Sequence, residues 1–195
     1  MKLPEIIGVA GGNGSGKDTL ADLRTKLESA QKIGLSDLLR VEAVRLGLDP
    51  KDREVLSAIS SQWADFYNDP GFLSIKAVET YRGMDVEQQN GLSIVSIRRL
   101  AEAAIIQQND GPMIWIEASI EKRFENALRR ARPGDDMTFE KFKADNDREM
   151  YGDPNNPLAP KMIEVKESAD IEIVNEFDSL EEFEAFLKHE YDLSA

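Results

Sequence analysis

Apolar positions along the chain follow two rhythms. Five short runs are continuously apolar: "EIIGVA" (5–10), "KIGL" (32–35), "LSIVSI" (92–97), "PMIWIEA" (112–118) and "DIEIV" (170–174). Continuous rather than alternating patterning predicts strands covered on both faces, as in a parallel sheet. Between them, apolar residues recur at helical spacing in stretches rich in Ala, Leu, Glu and Arg. These predict helices over Lys17–Ala30, Asp37–Leu46, Leu100–Gln107, Ile120–Arg130 and Leu180–Lys188. Strands alternating with helices predict βαβ units and an α/β fold with a five-stranded parallel sheet.

Two intervals interrupt the alternation. Residues 36–91 read as a helical excursion, "SDLLRVEAVRLGL", "PKDREVLSAISSQWADFY" and "GFLSIKAVETYRGM", punctuated at Pro50 and at Asp69–Gly71. Inserted there, it would lie over the carboxyl ends of the strands, where open α/β sheets bind ligands. Within it Trp63, Phe66 and Tyr67 stand at helical spacing and read as a small core rather than a base-stacking shelf. The second interval, "RRARPGDDMTFEKFKADNDREMYGDPNNPLAP" (129–160), is charged and rich in turn formers, and reads as a lid followed by a loop.

The first strand runs into "GVAGGNGSGKDTLA" (8–21), which contains G-x-x-x-x-G-K at Gly11, Gly16 and Lys17. A glycine-rich loop between a strand and a helix lets successive N–H groups surround a phosphate, with the helix N-terminus aimed at the same anion. Gly11, Asn13, Gly14, Ser15, Gly16, Lys17, Asp18 and Thr19 are therefore the candidate triphosphate cradle, and Lys17 the group that reaches the β and γ phosphates. The residue after the lysine is expected to be Ser or Thr, whose hydroxyl holds Mg²⁺. Here it is Asp18, with Thr19 one place late. GTPase chemistry is disfavoured, because neither D-x-x-G nor N/T-K-x-D occurs, and the G-K spacing argues against a dinucleotide-binding loop.

Composition narrows the choice. The 195 residues fit a single domain with insertions, 41% hydrophobic and 31% charged. Without cysteine, thiol catalysis and zinc–thiolate sites drop out, and the single histidine, His189, sits in a polar C-terminal stretch. The net charge of −13 opposes nucleic-acid binding, yet "RRL" (98–100) and "RRAR" (129–132) form basic islands that suit a small anion. No apolar run is long enough for a membrane span and no leader pattern is seen, so the expected location is cytoplasmic, with no nucleic-acid or membrane partner.

With these residues in view, "GSGKDTLA" resembles the P-loop nucleotide kinases of the deoxynucleoside monophosphate kinase and dephospho-CoA kinase-like group. "SDLLR" (36–40) is similar to the stretch after the second strand in the broader group that includes adenylate kinases, and "SIRR" (96–99) to its third-strand end. "IEASIEKRFENALRRARPGDDMTFEKF" is similar to its fourth strand, arginine helix and lid, and "ADIEIVNEFDSLEEFEAFL" to its last strand and helix. The resemblance implies a three-layer α/β/α P-loop NTPase fold over residues 1–195, with 36–91 binding the acceptor and about 129–160 forming the lid. It implies ATP and Mg²⁺ as cofactors. It also implies that Ser36, Asp37, Arg40, Arg98 and Arg99 meet the acceptor, that Arg123 and one or more of Arg129, Arg130 and Arg132 reach the donor phosphates, and that Asn175 opens the adenine-contacting loop.

The chain departs from that pattern at the end of the third strand, where the relatives carry a Mg²⁺-associated aspartate and this sequence has Val95. Asp18 is the hard oxygen donor expected to take over that acidic role, directly or through water and with Thr19 as helper; the alternative is that it caps the helix start or orients Lys17 while the nucleotide holds the metal. The expected reaction is transfer of the γ-phosphoryl of ATP to a small phosphorylated acceptor, a (deoxy)nucleoside monophosphate, by a monomer or homodimer. The alternatives are a dephospho-CoA kinase-like enzyme with a hydroxyl acceptor, for which Asp37 is the candidate base, and a non-catalytic nucleotide-binding sensor.

Overall fold

The computed structural model describes residues 1–130, 138–152 and 161–194. Its sheet is made of β1 (Ile6–Ala10), β2 (Gln31–Gly34), β3 (Leu92–Val95), β4 (Met113–Glu117) and β5 (Ile171–Val174), all parallel, in the order β2-β3-β1-β4-β5. The helices are α1 (Lys17–Glu28), α2 (Leu35–Arg45), α3 (Arg53–Tyr67), α4 (Phe72–Arg82), α5 (Leu100–Gln107), α6 (Ile120–Arg129), α7 (Phe139–Tyr151), α8 (Met162–Glu167) and α9 (Leu180–Glu190).

The continuous apolar runs are explained by two cores. Along a strand, side chains alternate between faces. Ile6 and Ala10 of β1, Leu92 and Ile94 of β3, and Met113 and Trp115 of β4 pack with residues of α2, α3, α4, α5 and α8. Ile7 and Val9, Val95, and Ile114 and Ile116 pack on the other side with α1 and α9. The result is the three-layer α/β/α arrangement expected from the sequence, with β1 at the centre of the sheet and its carboxyl end flanked by β3 and β4.

Differences from the sequence reading are local. The third strand stops at Val95 rather than Ile97, because Ser96 takes a left-handed backbone (φ 66°) that turns the chain out of the sheet. The excursion does fold as three helices. Asp52 starts α3 by accepting from the Glu54 and Val55 amides (2.8 and 3.4 Å), and Asp69 accepts from Gly71 N (2.7 Å) at the break before α4. The aromatic trio there divides. Tyr67 stacks on Phe72 (3.5 Å between ring centroids, 7° apart) and Trp63 meets the same ring edge-on, but Phe66 is 79% exposed. Phe66 meets only the Tyr67 ring among these, edge-on at 4.9 Å between centroids. Of the expected lid, residues 131–137 and 153–160, Arg132 among them, lie outside the described residues. The part between them is α7.

Candidate functional site

The loop after β1 turns tightly onto α1. Ser15 N donates to Gly12 O (3.1 Å) and Thr19 N to Gly16 O (2.9 Å). Gly14 (φ 83°) and Gly16 (φ 92°) occupy left-handed backbone. A Cβ on Gly14 would lie 2.1 Å from the Arg123 carbonyl oxygen, and one on Gly16 2.6 Å from Asn175 Nδ2, so both positions require glycine. The loop carbonyls are braced from behind: Asn126 Nδ2 donates to Gly14 O (3.0 Å) and Asn175 Nδ2 to Ser15 O (2.8 Å). Ser15 is fully buried under the loop, close to Gly11, so its contribution to the cradle is its backbone.

α6 presents one face to this loop. Arg123, Asn126 and Arg130 recur at helical spacing along it. Arg130 Nη2 donates to Asn13 Oδ1 (2.9 Å), whereas Arg129 pairs at 3.7 Å with Glu125 of its own helix. Geometry thus distinguishes the two lid arginines that lie among the described residues. Arg123 is 7% exposed. Its Nε donates to Ala118 O (3.1 Å), its Nη1 to Asn146 Oδ1 of α7 (2.7 Å), and its guanidinium fills the space a Cβ on Gly12 would need. It supports the loop as much as it faces it.

Lys17 opens α1 at the head of the loop. Burial pulls its pKa below the usual lysine value; Asp18 and Glu149 oppose the shift, and the nearby Arg130 and Arg98 reinforce it. Cations from the end of α6 and from the turn after β3 therefore act on one centre. Asp18 lies 3.8 Å from Lys17 Nζ and 3.1 Å from Lys32 Nζ of β2, which also reaches Asp22 at 2.8 Å. Partial burial alone would raise the Asp18 pKa, but the two lysines outweigh it and hold the carboxyl below the ordinary value. Beside the loop opens a pocket of about 420 Å³, whose lining includes Lys17, Asp18, Thr19, Asn175, Phe177 and Leu180.

Across the strand ends, Arg40 pairs with Asp37 within α2, and its Nη1 also donates to Ser36 Oγ (3.2 Å), which in turn meets Ser96 Oγ at 3.4 Å. The Arg40–Asp37 ion pair stays within one helix. Asp37 folds back over Gly34: its Oδ2 lies 2.3 Å from where a Cβ on that glycine would be, next to buried Val95. Arg98 and Arg99 leave β3 in a turn held by Glu102, whose buried Oε2 accepts from both of their amides (2.8 and 3.1 Å).

The predicted residues thus fall into a group at the glycine loop and α6 and a group where the chain leaves β2 and β3. His189 is exposed, away from both. Asn175 lines the pocket, and its amide donates to Ser15 O. Sequence reasoning missed Asn126, Lys32, Glu102, Asn146 and Glu149. Asn126 could have been found from its helical spacing to Arg123 and Arg130, and Glu102 from its place three residues after Arg99 at a helix start. Nothing local marks the other three.

For the cofactors, the glycine-bound loop turn and Lys17 at its head fit a triphosphate. Among the described residues no three carboxylate or imidazole groups form a metal cage. Asp18 offers one oxygen donor, which fits Mg²⁺ held mainly through nucleotide phosphates.

No protein-family model matches the chain. A UPF0200 protein of Hyperthermus butylicus is 29% identical over 184 residues, covering 94% of this chain and 91% of that protein. Among solved structures, shikimate kinase from Acinetobacter baumannii in complex with shikimate superposes with a TM-score of 0.58 at 12% identity, covering 97% of this chain and 94% of that one. TT1252 from Thermus thermophilus superposes with a TM-score of 0.57 at 19% identity over the whole of both chains. The fold is that of the P-loop kinases. Among the described residues no helix is long and apolar enough to cross a membrane.

Proposed function

We propose that this protein is an ATP-dependent phosphotransferase that moves the γ-phosphoryl group to a small phosphorylated acceptor, a (deoxy)nucleoside monophosphate. The observation that carries this reading is the glycine loop that opens α1 at Lys17, with Arg130 hydrogen-bonded to the loop at Asn13 and both cations lining one pocket. Transfer between two phosphates needs several negative charges neutralised and little else from the protein. Phe177 and Leu180 give the adjoining pocket an apolar wall for a base. Lys17 and the loop amides would hold the donor phosphates, with Arg130 and Arg123 nearby. Arg98, Arg99 and Arg40 would hold the acceptor phosphate, and Asp18, with Thr19 beside it, would meet Mg²⁺ directly or through water. The bound metal would add charge neutralisation at the β and γ phosphates.

A second reading is favoured by Asp37. Its carboxylate over Gly34 stands at the acceptor side, where a base for a hydroxyl acceptor would be needed, as in a dephospho-CoA kinase-like reaction. A coupled ATPase-to-product assay over nucleoside monophosphates and dephospho-CoA tests both. Turnover with a monophosphate supports the first reading, turnover only with dephospho-CoA the second, and ATP binding without any turnover the nucleotide sensor.

A further inference from the structure

α7 carries two side chains, one turn apart, to the two arginines on either side of the loop. Asn146 Oδ1 accepts from Arg123 Nη1 at 2.7 Å, and Glu149 Oε1 lies 3.6 Å from Arg98 Nη2. Arg123 backs the phosphate loop at Gly12, and Arg98 belongs to the turn after β3. Glu149 therefore stands between donor and acceptor sides. Its charge is felt at both: burial lowers the Lys17 and Arg123 pKa values, and Glu149 is among the acids that oppose the shift at each. The Glu149 side chain is only 22% exposed, while its partner Arg98 remains 50% exposed and open to a ligand. The cationic centre already holds an anion, and that anion is the protein's own.

An acceptor phosphate brought to Arg98 meets like charge from Glu149, and two anions that close repel unless one withdraws. A phosphate monoester, with close to two negative charges at neutral pH, offers Arg98 more charge than one carboxylate does. We propose that Glu149 is the resident counter-anion of an acceptor-phosphate subsite at Arg98, displaced by the incoming phosphate monoester, and that it sets the affinity of the acceptor. This inference rests on the kinase reading, in taking Arg98 as an acceptor-side group.

The test uses the full chain saturated with ADP, so that the loop is filled and inorganic phosphate, titrated by calorimetry, reports the remaining anion site. Phosphate is expected to bind Glu149→Gln about tenfold more tightly than wild type, as removal of a like charge next to an anion should allow. Arg98→Ala in the Glu149→Gln background should abolish the gain. Asp145→Asn removes one charge from the same helix where it faces Arg148, and should change the phosphate affinity less than about twofold. Phosphate binding that is unchanged or weaker in Glu149→Gln overturns the inference, and so does an equal gain in Asp145→Asn. Failure of the kinase reading shows separately, as absence of ADP binding before any phosphate is added or as nucleotide binding without turnover of any acceptor in the coupled assay, and the inference then falls with it.

Discussion

Glu102 is where a single truncation tests how the acceptor side is built. The residue is 3% exposed in the first turn of α5, and one carboxylate oxygen accepts from the amides of Arg98 (2.8 Å) and Arg99 (3.1 Å). Glu102→Ala strands both amides and removes a charge suited to a helix N-terminus. Hydrogen bonds to a charged group contribute about 1.5–3 kcal/mol each, but these amides regain some water, and burial of the carboxylate itself is costly. A net loss of about 1–3 kcal/mol follows, in the range of losing a strong cap. For a chain of 195 residues that lowers Tm by roughly 3–10 °C. Burial raises the Glu102 pKa above its ordinary 4.5, against the two amides that favour the charged form. The native state therefore holds this proton more tightly than the unfolded chain. The contribution to stability is full below the ordinary value and declines as pH rises through the raised native one. Glu102→Gln keeps an acceptor oxygen and should lose that slope. Urea unfolding followed by circular dichroism, in a pH series that starts at the ordinary carboxylate value of 4.5 and rises from there, reads both effects. In turnover, Glu102→Ala should raise the acceptor KM about tenfold and leave the ATP KM unchanged, as expected for an arginine turn that has lost its brace. A Glu102→Ala protein with the wild-type midpoint, or a Glu102→Gln protein with an undiminished pH slope, refutes the reasoning.

Gly14→Ala places a methyl 2.1 Å from the Arg123 carbonyl in left-handed backbone, so it should cost about 2–4 kcal/mol and remove the thermal shift produced by ATP. Arg130→Ala should lower kcat/KM for ATP by about 10–100-fold, while Arg129→Ala, which loses only an exposed pair with Glu125, should stay within about twofold in the same coupled assay. Asp18→Ala should raise the Mg²⁺ concentration for half-maximal turnover by about fivefold or more, and an unchanged Mg²⁺ dependence ends the metal role. Partial burial opposes the low Asp18 pKa that Lys17 and Lys32 impose, so Asp18 stabilises the fold above its ordinary 3.8 and stops doing so as pH falls through the lower native value. Asp18→Ala should lack that acid limb in a melting series.

Much of the architecture was legible in the order of residues. The five apolar runs became five strands because each side chain's face is set by the local backbone: Ile6 and Ile7 point oppositely whatever surrounds them, and both being apolar requires cover on both sides. The loop could be read for the same local reason, since Gly14 and Gly16 permit a turn other residues resist and Lys17 follows it directly. Val95 and Asp18 were visible as a paired departure. What could not be read is which side chains meet across the fold. The sequence places Asn175 at the start of an adenine-contacting loop without showing its bond to Ser15 O, and it reads Phe66 into a core although that ring faces solvent. Asp18 carries Lys32 as a partner, and Glu149 reaches Arg98 from a charged stretch that has no periodic signal. These meetings depend on the strand order β2-β3-β1-β4-β5, which sets β3 and β4 on either side of β1 and its loop. Local rules decide the direction of a side chain; only the crossover connections decide what it finds there.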